Sequence, residues 1–355
     1  MKVLAINPGS TSTKIAVYIN DKAIFYKNAK HSVEDLANFK TIADQYQYRK
    51  EIVIQELEKA DTKFADIEIV IGRGGLLKPI PSGVYEVNEA MKRDLIIGVQ
   101  GQHASNLGGL IADSIARSLP NAKAYIADPV VVDELDDIAR ISGHPRFRRI
   151  SIFHALNQKS IARTYAKTHS KNYEDLNLIV AHLGGGTSVG AHHHGRVIDV
   201  NQALDGEGPF SPERSGTLPV GELARLCFSD EFTYDEIKKM ITGNGGFAAY
   251  LNTNDALEVE KMIEAGNEFA QLIYDSMAYQ VAKEIGAMAT VLKGEVDAIL
   301  ITGGLANSKN FVDKITDRIH TIAPIFIYPG EDEMRALVLN ALMVANKETE
   351  PRVYV

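Results

Sequence analysis

Only one cysteine, Cys227, occurs in the 355 residues. A lone thiol excludes an intrachain disulfide, and its rarity suits a reducing compartment. No stretch approaches the about 18 apolar residues a membrane span requires, and the apolar run Val3 to Ile6 is too short for a signal sequence. Basic residues never run beyond two together and the net charge is -8. Nucleic acid and membrane surfaces are therefore poor partners, and any anionic ligand must be held by a few local cations. The expectation is a cytoplasmic protein acting on small molecules. At 45% hydrophobic the chain can bury a full core, and its length makes two domains the prior.

Glycine and small hydroxyl residues, by contrast, fall where they carry information. Asn7-Pro8-Gly9-Ser10-Thr11-Ser12-Thr13-Lys14 joins the apolar run ending at Ile6 to another beginning at Ile15. Gly9 permits a tight bend, while Ser10, Thr11, Ser12 and Lys14 supply donors and one positive charge, so the turn suits phosphate. A second version follows about 175 residues later, where residues 178–183 run into Gly184-Gly185-Gly186-Thr187-Ser188 and a further apolar run. A repeated strand, turn and strand point to two related lobes facing one ligand. A third, nucleotide-sized turn, Gly303-Gly304-Leu305-Ala306-Asn307-Ser308, ends the apolar run 296–302.

Periodicity predicts a three-stranded antiparallel start closed by the Asn20-Asp21 turn and a helix over about 45–60. A buried strand over 67–71 ends at Gly72-Arg73-Gly74-Gly75, and a helix over 106–119 precedes a strand ending at Asp128-Pro129. A carboxylate at that strand end lies where open α/β sheets place ligands. Helices are expected near 154–168, 219–228 and 233–242, along 255–293, and after Ser308 and Gly330. The lobe boundary is placed near 150, giving domains 1–150 and 151–333, with the C-terminal segment 334–355 crossing back to complete the first. The signature G-x-x-x-x-G-K-[ST] is missing, as are the H-R-D and D-F-G elements of protein kinases, so the nucleotide site must be of another type.

Asn7 to Lys14, Phe153-His154, His182-Leu183-Gly184-Gly185-Gly186, Arg214-Ser215-Gly216 and Thr302-Gly303-Gly304 resemble, in order, the blocks of the acetate/butyrate kinase family. That family lies in the actin, sugar-kinase and heat-shock chaperone superfamily, and the likeness spans nearly the whole chain. The forms I-N-P-G-S-T-S-T-K, S-P-E-R-S-G-T-L-P and Y-P-G-E-D-E-M-R-A are similar to the shorter, butyrate-using members rather than the longer acetate kinases. The resemblance implies an α/β protein of two duplicated actin-like, ribonuclease H-like lobes, each a mixed sheet flanked by helices, with a ligand cleft between them. It implies phosphoryl transfer from ATP to butyrate, giving butyryl phosphate and ADP reversibly, with Mg²⁺ as cofactor and a homo-oligomer, at least a dimer, as the assembly. Branched-chain, propionate or acetate kinases of the family are the alternatives, and a chaperone-like ATP-binding protein is the rival from another class.

The resemblance assigns Arg73, Asp128, His154 and Arg214 to catalysis. It assigns Ser10, Ser12, Lys14, His182, Gly184, Gly185, Gly186, Gly303 and Gly304 to the nucleotide and its phosphates. Gly75 and Phe153 are assigned to the acyl pocket, and Asn7 and Glu333, with Asp332 as the neighbouring choice, to the metal side. Chemistry supports the arginines independently, because a guanidinium can bind two carboxylate or phosphoryl oxygens at once. Gly75 replaces a valine of acetate kinases, which predicts a deeper acyl pocket, and Gly185 replaces an asparagine. No counterpart of the adenosine-binding element appears near Asn252 and Asn254. His192-His193-His194 lies on a hairpin, where alternation argues against a zinc site. The run Asp133 to Asp137 reads as a solvated helix start, Tyr46 and Tyr48 as packing residues, and Cys227 as core.

Overall fold

A computed structural model describes residues 1–60 and 64–355. The chain divides into two compact units, Met1–Val132 with Asp332–Val355, and Asp133–Glu331. Residues 133–150 fall in the second unit because their polar groups bond there. The Asp136 amide donates to the Ile198 carbonyl at 2.9 Å, and the Arg149 guanidinium pairs with Asp199 at 2.9 Å.

The first unit contains strands β1 (Lys2–Pro8), β2 (Ser12–Ile19), β3 (Lys22–Lys30), β4 (Ile69–Arg73), β5 (Val84–Glu86) and β6 (Lys123–Ala127). They form one sheet in the order β3-β2-β1-β4-β6-β5. β1 runs antiparallel to β2, with Asn7 opposite Lys14, and parallel to β4. Val3 to Ile6 are fully buried. A central strand covered on both faces has no polar side to show, which is why it reads as a continuous apolar run. Helix Asn106–Arg117 packs on β4 and β6, and helix Glu333–Ala345 packs on β1.

The second unit contains β7 (Asn177–Leu183), β8 (Thr187–His193), β9 (Arg196–Val200), β10 (Ala298–Gly303) and β11 (Ile325–Pro329), in the order β11-β10-β7-β8-β9. β7 is antiparallel to β8, and β10 is parallel to both β7 and β11. β9-β8-β7-β10 therefore repeats β3-β2-β1-β4 in order and direction. The duplication visible in the sequence is a duplication of topology.

Three expectations change. The stretch 255–293 is two helices, Ala256–Glu264 and Glu268–Val291. Gly266 between them takes a left-handed φ of +86°, and the Asn267 side chain caps the second helix by accepting from the Ala270 amide. Cys227 is exposed rather than core, on helix Val220–Cys227, which buries none of its residues. The acidic run 133–137 is a solvated helix start only at its end, where exposed Asp137 opens the short 3-10 helix Asp137–Arg140. Glu134 pairs with the fully buried Lys159, and Asp133 pairs with Arg140 at 2.6 Å. Among the described residues no helix is long and apolar enough to cross a membrane.

Candidate active site

In the first unit the turn after β1 is closed by the Gly9 amide donating to the Ser12 carbonyl at 2.8 Å. Behind it stands Arg49, from helix Tyr46–Lys59, fully buried. Its guanidinium donates to the carbonyls of Gly9, Ser10 and Ser12 at 2.8, 3.0 and 3.2 Å, to Thr13 Oγ1 at 3.2 Å, and to Gln45 Oε1. With its carbonyls held from inside, the turn keeps its shape while Ser10 remains exposed and Ser12 and Lys14 half-buried. An arginine on a helix gives no sequence signal of such a role, since most arginines are solvated.

His31 completes this support, with Nε2 at 2.8 Å from Thr13 Oγ1. Burial, aided by the Arg49 charge, holds its imidazole down at about 4. Because the folded state then takes up fewer protons than the unfolded chain, stability is full above the ordinary histidine value and falls as pH drops toward 4. Acidification from pH 7 to 5 is expected to cost about 1–2 kcal/mol through this group. His192, also pushed down by burial, acts in the same direction. Melting temperatures recorded against pH check this: His31→Gln should flatten part of the slope, and an unchanged slope would contradict it.

The ends of β1 and β4 bring three of the predicted residues together. Arg73 pairs with Glu333 at 3.0 Å through Nη2, and its Nη1 lies 3.3 Å from the other carboxylate oxygen. The Asn7 amide donates to that same oxygen at 2.6 Å. Of the two acidic neighbours, Glu333 joins this cluster. Asp332 instead caps the last helix, accepting from the Arg335 amide. Asp128 directly follows β6, is buried, and has a left-handed φ of +38° unusual for a non-glycine residue. Its Oδ1 accepts from Ser82 Oγ at 2.6 Å and from the Gly83 amide at 2.8 Å, so it anchors the loop before β5.

Gly75 does not open a pocket, contrary to expectation. A Cβ there would lie 2.5 Å from Asn106 Cα and 2.5 Å from its Oδ1. The space vacated by the missing side chain is filled by the start of helix Asn106–Arg117, and Asn106 Oδ1 accepts from the Leu76 amide at 2.8 Å. Gly75→Val is therefore expected to destabilise the protein by about 3 kcal/mol through overpacking rather than convert its acyl preference. Thermal melts with a C2-to-C5 substrate profile check this, and a folded variant with a shifted profile would restore the pocket explanation.

In the second unit His182 at the end of β7 is buried. Its Nδ1 is 2.8 Å from Asn157 Oδ1 and its Nε2 is 3.1 Å from Glu331. Its ring stacks on that of His154 with centroids 3.9 Å apart. His154 precedes helix Ala155–Thr168 and is half-buried, and Phe153 beside it is fully buried. Arg214 sits against the turn after β7: a Cβ on Gly186 would fall 1.9 Å from its Nη1. Burial pushes the Arg214 guanidinium down from its ordinary value, with only Glu213 opposing. It donates through Nη1 to the Ala203 carbonyl, while its Nε is buried without a partner among the described residues.

A cavity of about 930 Å³ opens between the second and third glycine turns and helix Ala256–Glu264. Gly184, Gly185 and Gly304 line one part, and Leu257, Ile263 and Leu305 give apolar walls. Asn254, Glu260, Asn307 and Ser308 supply polar groups. Glu260 is oriented by donation from Tyr274 Oη and Ser308 Oγ. Glycine backbone at one end and a mixed apolar and polar wall at the other suit a nucleotide. Leu305, Asn307 and Ser308 belong to the third turn legible in the sequence, whereas Leu257, Glu260 and Ile263 were not found by sequence reasoning because no local motif marks them.

Two sheets of one repeated topology, with glycine turns opening on a nucleotide-sized cavity, are the duplicated α/β architecture of the actin-like ATPase fold. The crystal structure of Porphyromonas gingivalis acetate kinase matches with a TM-score of 0.79 over 97% of this chain and 99% of that one, at 18% identity, so the fold is shared. Residues 146–326 match the model of the acetokinase family. Two Clostridium acetobutylicum proteins named butyrate kinase 2 and butyrate kinase 1 are 56% and 55% identical over 353 residues, 99% of each chain. The chain belongs to the acetokinase family and is a carboxylate kinase.

Proposed function

We propose that this enzyme phosphorylates butyrate with ATP, giving butyryl phosphate and ADP reversibly. The choice of acid is supported by the identity of more than half the residues, across 99% of the chain, to proteins named butyrate kinase. The acid is ionised at neutral pH, so its carboxylate oxygen attacks the γ-phosphorus without a general base. The bond from that phosphorus to the bridging oxygen breaks, and ADP departs with the electron pair. Alignment and relief of negative charge are what the protein must supply. In this reading Arg73 binds the acid or the transferring group, Arg214 and His154 donate to the phosphoryl oxygens, and Asp128 holds the acid-side loop. Ser10, Ser12 and Lys14, with His182 and the backbone at Gly184, Gly185, Gly186, Gly303 and Gly304, receive the nucleotide's phosphates, and Phe153 borders the acyl chain.

Mg²⁺ fits the Asn7 and Glu333 oxygens, since this ion takes one or two protein ligands and completes its shell with water and phosphate. When bound it offsets charge on the phosphate oxygens. The carboxylate of Glu333 would then exchange its contact with Arg73 for the ion, leaving that guanidinium for substrate. An assembly of at least two copies accords with the exposed Val220, Phe228 and Tyr234 on the second unit, and a cytoplasmic location accords with the supply of ATP. Trapping with hydroxylamine should detect acyl phosphate from ATP and butyrate, with the highest kcat/KM at four carbons. Turnover of none of the C2 to C5 acids would overturn the reading and leave the fold intact, whereas a maximum at another chain length or a branched acid would change only the acid.

A further inference from the structure

Behind His154 runs a continuous row of buried polar side chains that the reaction outlined above does not use. Tyr173 Oη lies 2.6 Å from His192 Nδ1, and His192 Nε2 lies 2.9 Å from Gln158 Oε1. Gln158 Nε2 lies 2.8 Å from Ser188 Oγ, and Ser188 Oγ lies 2.8 Å from His154 Nδ1. Tyr173, His192, Gln158 and Ser188 are all buried, and only His154, at the end of the row, is partly exposed.

The direction of every bond follows from one fixed acceptor. Gln158 Nε2 is also 3.1 Å from the Ser188 carbonyl, which can only accept, so the amide nitrogen of Gln158 faces Ser188 and its oxygen faces His192. His192 Nε2 must then carry a proton. Burial, reinforced by the Lys159 and Arg163 charges, keeps this ring neutral. Its Nδ1 therefore accepts from Tyr173. At the other end Ser188 Oγ accepts from Gln158 and from the His154 backbone amide at 3.5 Å. Both lone pairs are engaged, and the hydroxyl proton is left for His154 Nδ1. Gly190 leaves room for this arrangement, since a Cβ there would lie 2.7 Å from Gln158 Oε1.

We propose that Tyr173, His192, Gln158 and Ser188 are positioning residues that hold His154 with Nδ1 accepting and Nε2 protonated, so that it meets the transferring phosphoryl group with an N–H donor. The significance of that donor rests on the function proposed above, but the tautomer does not. The opposite tautomer would offer a lone pair to phosphoryl oxygens and repel them, whereas an oriented N–H stabilises charge as it develops.

The test is long-range ¹H–¹⁵N correlation on the full chain with ¹⁵N-labelled histidine at neutral pH, with His154 assigned by its loss in His154→Gln. Wild-type His154 should appear almost wholly as the Nε2–H form. A dominant Nδ1–H form, or an even mixture, would overturn the proposal. Ser188→Ala should produce a mixture and lower kcat about ten-fold with the KM for ATP unchanged within two-fold. An unchanged tautomer in that variant would also overturn it, whatever happened to kcat. If Ser188→Ala does not fold, the wild-type spectrum decides alone. Absence of acyl phosphate in the wild type would defeat the proposed function without touching the tautomer reading.

Discussion

Replacing Arg214 by alanine is expected to lower kcat for acyl phosphate formation about 10³-fold, the size seen where a guanidinium stabilises a transferring phosphoryl group. The KM for ATP should change little, and the melting temperature should stay level or rise. The last expectation separates a catalytic from a structural arginine. Burial disfavours the Arg214 charge, its Nε has no partner among the described residues, and the Ala203 carbonyl and the Glu213 carboxylate support it only in part. A charge kept under those conditions opposes stability, so removing it relieves the fold while disabling the reaction. Gly186→Ala provides a second arm, because the new methyl would displace the guanidinium itself. Equal changes in kcat and KM in Arg214→Ala would assign the residue to binding, and a large drop in melting temperature would assign it to the fold.

Arg49→Met should act in the opposite way, destabilising the first unit by about 3 kcal/mol. Arg49 is also buried and pushed down by burial, but its guanidinium is surrounded by acceptors. Truncation would leave the Gly9, Ser10 and Ser12 carbonyls without those donors and the turn without its inner support. Arg49→Lys should rescue little, since an ammonium cannot span acceptors spread across a planar fork. Hydrogen exchange at the amides of residues 9–14, read with the melting temperature, is the measurement. Protection unchanged in Arg49→Met would show that the Gly9–Ser12 bond holds the turn unaided.

These two arginines mark where the sequence ceased to be informative. Arg214 stood out through a motif, S-P-E-R-S-G, and Arg73 through the glycines around it. Arg49 is one basic residue on a helix, and only its packing against a turn 40 residues earlier gives it a role. Gly75 was legible as an exceptional position but its cause was not, because the atoms that require glycine belong to Asn106. Cys227 shows the reverse error, an apolar stretch whose helix has no buried face. The buried row behind His154 includes His192, one of a histidine run in which alternation argues against a metal site and gives no sign of a buried hydrogen-bond chain.

The antiparallel hairpins that open each repeat, the three glycine turns and the family were determined by the amino-acid sequence itself, because alternation, apolar runs and turn chemistry are local and survive without knowledge of the fold. The pairing of Arg73 with Glu333, the nucleotide-sized cavity walled by Glu260 and Asn307, the support of the first turn by Arg49 and the tautomer of His154 were decided only by tertiary structure. Each depends on groups tens to hundreds of residues apart whose hydrogen bonds gain meaning when burial removes competing water.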